Sequence, residues 1–89
     1  MRREPDFFDD QDLPLLYIAK KLRHAKHIEE LFTEAGLDYL VEPDHYVGGI
    51  IFRTERIGAF FYSKDEDAER AREVLRHAGY KPYDLPPPD

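Results

Sequence analysis

His24 and His27 stand three residues apart, a spacing at which two imidazoles on one helical turn can reach a single metal ion. A transition metal wants a third ligand, from His45 or a carboxylate, and charged residues flank both histidines, so no metal ligand is assigned. Glu29-Glu30, Glu34 and Asp65-Glu66-Asp67 are the grouped acids. General acid–base chemistry needs a carboxyl in an apolar pocket with a shifted pKa. These acids fall instead on polar helix faces or in a first turn, where they cap and solubilise. Gly48-Gly49 lacks the following helix that a phosphate site requires and reads as a turn or bulge. No serine stands in a nucleophile elbow. No catalytic residue and no cofactor is assigned, and the residues point away from an enzyme.

Aromatic side chains offer a different chemistry. In strands of strict alternation, Leu16, Ile18, Ala59 and Phe61 face the helices, while Tyr17, Phe60 and Tyr62 face the other way. RNA-recognition motifs stack bases on such a face. Leu16-Tyr17-Ile18 resembles their first-strand motif and Arg56 with Ala59-Phe60 matches part of the other, but Ile57 and Gly58 miss its glycine and aromatic. Stacking residues without a basic field bind nucleic acid poorly. Single-stranded RNA binding therefore ranks as an alternative, beside a small metal-binding protein. A second copy of the chain suits the face better. Tyr17, Phe60 and Tyr62, joined by Ile50 and Ile51, are the expected binding surface of a homo-oligomer, a dimer first.

The elements that position these residues follow from an internal echo. A shift of 43 places Ala25, Ile28, Leu31, Phe32, Ala35 and Gly36 on Ala68, Ala71, Val74, Leu75, Ala78 and Gly79. Each copy reads as an apolar strand, a polar link, an amphipathic helix and a glycine stop. The first strand is predicted from Leu15 to about Lys20 and the first helix from about His24 to Ala35. A second strand covers about Asp38–Glu42, where Pro43-Asp44 argues for its end or for an edge position. Val47 to Arg53 and Ile57 to Tyr62 read as a hairpin with Thr54-Glu55-Arg56 at the tip, in preference to the alternative of a long irregular loop over 47–58. Ser63 and Glu66 fit a capping box at the start of the second helix. Lys81–Leu85 gives a short last strand. The order strand, helix, strand, strand, helix, strand predicts an α+β ferredoxin-like βαββαβ sandwich, an antiparallel sheet with both helices on one face.

Composition bounds the rest. With 89 residues and 42% apolar content, the chain holds one modest core: a single domain over 13–85, a flexible acidic tail over 1–12 and a Pro-rich tail over 86–89. Cysteine is absent, which removes disulfides and thiolate chemistry. No secretory signal and no apolar run of roughly 20 residues is present, so a cytoplasmic protein with no membrane partner is expected. The net charge of −6 is uneven: residues 1–12 hold two arginines against five acids, while 13–80 hold ten basic against twelve acidic residues.

The helix Asp67-Ala68-Glu69-Arg70-Ala71-Arg72-Glu73-Val74-Leu75 after an apolar strand, with the earlier ending Glu34-Ala35-Gly36-Leu37, resembles a small bacterial family of signal-transducing proteins. That family is similar in fold to the nitrogen-regulatory PII proteins. The likeness covers roughly residues 15–79, and the glycine-led, isoleucine-rich segment 47–58 departs from it. The resemblance transfers no catalytic residue. It implies a regulatory or ligand-sensing domain and suggests an intersubunit cleft for any small-molecule effector. Taken with the aromatic face, the expectation is a non-enzymatic regulatory or protein-interaction module that self-associates.

Overall fold

A computed structural model describes residues 1–8, 12–48 and 54–83. It is an α+β structure: a 3-10 turn (Pro5–Phe8), β1 (Leu15–Ala19), α1 (Leu22–Glu34), β2 (Leu40–Gly48), β3 (Thr54–Tyr62) and α2 (Asp65–His77). The three strands form one antiparallel sheet in the order β1-β3-β2. Both helices bury a three-residue stripe on one face of it, Ala25, Ile28 and Phe32 from α1 and Ala68, Ala71 and Leu75 from α2, against Leu16, Ala19, Tyr39 and Phe61. A shift of 43 carries α1 onto α2 residue for residue, stripe included.

The glycine stops are equally matched. Gly36 and Gly79 sit at φ 72° and 89°, where a side chain would meet its own backbone. Leu37 N–H donates to Phe32 O at 2.9 Å and Gly36 N–H to Thr33 O at 3.1 Å. Tyr80 N–H to Leu75 O and Gly79 N–H to Arg76 O repeat the pattern, so both helices end in a Schellman motif. The helix starts differ from expectation. α1 begins two residues early, and Lys64, not Ser63, is the N-cap of α2, with no side-chain cap bond. Ser63 is buried and its hydroxyl donates to Lys64 O at 3.0 Å, so no capping box forms.

Three corrections concern the strands. Of the two readings of Pro43-Asp44, the edge position holds and the strand end does not. β2 runs on to Gly48, with Pro43 opposite Ala59, because an edge strand tolerates a residue with no N–H to give. Thr54-Glu55-Arg56 is not a hairpin tip but the first part of β3, paired with Tyr46-Val47-Gly48; the connection 49–53, with Ile50 and Ile51, lies outside the described residues. The last correction is a bulge in β1. Leu15 pairs with Tyr62 and Tyr17 with Phe61, so Leu16 is an extra residue, and both Leu16 and Tyr17 turn toward the helices. From there the alternation is inverted: Ile18 pairs with Phe60 on the helix-free face, and Ala19 enters the core.

Residues 1–8, read from sequence as part of a flexible tail, lie against the β2 side of the sheet. Arg2 bridges to Tyr39, Arg3 N–H donates to Tyr39 O at 2.8 Å, and Phe8 is only 2% exposed. At the other edge the predicted last strand is not formed over 81–83, although Tyr83 N–H donates to Leu16 O at 2.7 Å; residues 84–89 lie outside the described residues.

Candidate functional site

The bulge dismantles the expected aromatic surface. Tyr17 packs on the helix side, its ring edge-to-face with Tyr80 at 5.4 Å, away from Phe60 and Tyr62. Phe60 is 8% exposed and its neighbour on the same face, Leu40, 7%, so this face is not an open stacking platform. Tyr62 remains half-buried there; burial first, then Glu42 and Asp44 on β2, push its pKa up. Those two acids flank the helix-free face on the β2 side and repel a polyanion laid across the sheet. The RNA-binding alternative loses its platform at both points.

The histidine pair is spent on packing. His27 Nδ1 and Tyr80 Oη share a hydrogen bond of 2.7 Å, and both imidazoles lie within 6 Å of the Tyr80 ring centre, at 5.6 and 5.8 Å. Among the described residues no group of three His, Cys, Asp or Glu side chains is placed to hold a metal ion.

What the fold does assemble is a groove of about 750 Å³ at the C-terminal end of β1. Three lysines line it, Lys20 and Lys21 from the β1–α1 corner and Lys81 from the segment after α2. None of the three makes an ion pair among the described residues; Lys20 Nζ instead lies 5.1 Å from the centre of the Tyr46 ring. Tyr17, Tyr46 and Tyr83 supply aromatic walls, with His24 at the rim. Burial, and Tyr80 beside it, raise the Tyr17 pKa, so its hydroxyl stays protonated and can donate. Two of the lining side chains, Ile18 and Tyr46, close over Gly58 of β3. A Cβ there would stand 3.1 Å from Ile18 Cγ2, 3.1 Å from Tyr46 Cε1 and 3.2 Å from Ala19 O, closer than ordinary packing allows.

Antiparallel pairing explains why cations collect here. β1 leads into α1 at the Ala19 end of the sheet, whereas β3 leads into α2 at the opposite, Tyr62 end. Lys20, Lys21, Arg23 and Lys26 therefore gather at one end, and the first-turn acids of α2, Asp65, Glu66 and Asp67, at the other. The sequence carries a signal for this: four cations and no acid within residues 20–26. Lys81 joins them only through the fold. The chain matches no known family profile, and no curated protein or solved structure shows a significant similarity to it. The site must be read on its own chemistry.

Proposed function

We propose that the chain is a non-enzymatic regulatory module that binds a small anionic effector in the Lys20–Lys21–Lys81 groove. The observation that carries this reading is three lysines, none in an ion pair among the described residues, lining one cavity in a chain of net charge −6. Like charges brought together without counter-ions raise the energy of the free protein, and an anion relieves it. Lysines act as point charges that suit compact phosphates or carboxylates, and the tyrosine rings cover the apolar part of a ligand. The β1-β3-β2 order, with Tyr83 bonded to the outer edge of β1, supports a ferredoxin-like arrangement in which the C-terminal segment fills the fourth lane. The regulatory role is the one the family resemblance implies.

Thermal melting with inorganic phosphate, citrate and a sugar phosphate, each against chloride at matched ionic strength, tests the reading. A ligand at a hundredfold its Kd stabilises by about 2.7 kcal/mol, which raises the Tm of a domain this size by roughly 10–20 °C. The Lys20→Glu, Lys81→Glu double variant is expected to keep its fold and lose the rise. Equal responses in parent and variant, or none in the parent to any of the three anions, would reject the groove.

Self-association is a second reading, favoured by one feature of the sheet. β1 pairs only as far as Ala59, so Thr54–Gly58 of β3 have no partner strand on that side among the described residues. Ile57, 66% exposed, lies within this stretch. An unpaired strand edge with an apolar side chain is a template for a second chain.

A further inference from the structure

Leu22 is 72% exposed, more than any other large apolar side chain among the described residues. One wet leucine is ordinary on a protein surface. Its surroundings are not. Leu22 shares a shallow depression with Lys21, Arg23 and Lys26, and Lys20 borders it from the adjoining groove. None of these four cations makes an ion pair among the described residues. The first-turn acids of α2 lie at the opposite end of the sheet; the nearer acids are Glu29 and Glu30, one turn along α1 from Lys26, and Glu29 is itself paired with Arg2. The 13 residues of α1 span about 20 Å at 1.5 Å per residue, more than twice the roughly 8 Å over which charge is felt at physiological salt, so the far-end acids do not cancel the corner's field.

A cationic corner alone would suit any polyanion. The leucine at its centre separates the cases, because a nucleic-acid backbone offers it nothing apolar to enter, whereas a bilayer offers anionic headgroups above an acyl layer. Four to eight Lys or Arg beside an apolar anchor is the pattern by which peripheral proteins recognise acidic lipid. We propose that the β1–α1 corner docks on an anionic lipid surface, with Leu22 entering the acyl boundary and Lys20, Lys21, Arg23 and Lys26 among the headgroup phosphates. No membrane-spanning segment is needed, and no helix among the described residues is long and apolar enough to be one. Lys20 and Lys21 also line the effector groove, but Leu22, Arg23 and Lys26 do not, so variants at these three positions test this surface separately from the groove.

Co-sedimentation of the full chain with phosphatidylcholine vesicles, with and without phosphatidylserine, tests the proposal. Binding is expected only with phosphatidylserine and is expected to weaken as salt rises. Each cation near such a surface is worth about fivefold in affinity, so Arg23→Glu with Lys26→Glu should cost about 25-fold or more. Leu22→Ser should cost about tenfold while leaving the salt dependence unchanged. All three positions are exposed, and unchanged melting temperatures would show that the variants fold. No phosphatidylserine-dependent binding at low salt overturns the proposal. So does a Leu22→Ser variant that binds like the parent, or single-stranded RNA held more tightly than vesicles in the same buffer.

Discussion

Gly58 shows how one residue sets the positions of two groove side chains, Ile18 and Tyr46. On sequence it is a small residue in an apolar strand, a place where bulges and close approaches occur. In the fold its missing side chain lets Ile18 and Tyr46 close over β3 from either side, beside the Ala19 carbonyl. Gly58→Ala puts a methyl into that gap. Ile18 and the Tyr46 ring can each yield by a few tenths of an ångström, but the Ala19 backbone is held by its pairing with Ala59. We expect a loss of about 1–2 kcal/mol, in the lower range of overpacking penalties, measured by urea denaturation. Groove affinity should fall as well, because Tyr46 and the Lys20 ammonium above it move together. A variant as stable as the parent and as good at binding would show that the contacts of Ile18 and Tyr46 over Gly58 are not tight.

The two helices and the two sheet edges behave differently as elements. Helix stripes and glycine stops repeat at a spacing of 43 because the same requirement, burying three side chains against one sheet and then leaving it, is met twice. The segment over residues 1–8 has no such period, since it follows the sheet through single contacts. Its backbone meets Tyr39, Arg3 Nε donates to Asp38 Oδ1 at 2.8 Å, and Phe8 is buried while Phe7, 41% exposed, sits under the Arg3 and Lys64 cations. Phe8→Ala is therefore expected to cost about 3 kcal/mol, as for other buried phenylalanines, and Phe7→Ala less than about 1 kcal/mol, since a half-exposed ring gains less from burial. Thermal melts of the two variants side by side check this. Equal and small losses would mean that the segment is dispensable.

At the scale of the whole molecule, strand direction sorts charge. A chain whose body is nearly neutral becomes one with a cationic corner and an acidic far end, because antiparallel β1 and β3 launch their helices from opposite ends of the sheet. The hairpin of β2 and β3 also outruns β1, leaving the Thr54–Gly58 edge for a second copy. Sedimentation equilibrium at tens of micromolar is expected to show a dimer that Ile57→Lys converts to a folded monomer. A monomeric parent would remove the self-association reading.

Local pattern was enough for the helices: stripe periodicity and the two glycines mark α1 and α2 to within about two residues, since burial on one face and a left-handed stop are properties of neighbouring residues. The α+β class follows from the order of those elements. What sequence could not decide is which way the strand side chains point. One extra residue at Leu16 inverts the alternation, moves Tyr17 to the helices and Ile18 to the other face, and breaks up the aromatic surface that strict alternation predicts. A bulge of this kind is fixed by how β1 fits against β3 and leaves no period to read. The same holds for the groove. Lys20 and Lys21 announce themselves as a basic run, but Lys81 lies 60 residues further on and meets them only because the chain after α2 returns to β1. Spacing along a chain records what one element needs; which charges share a cavity is set by the packing of elements that the spacing does not describe.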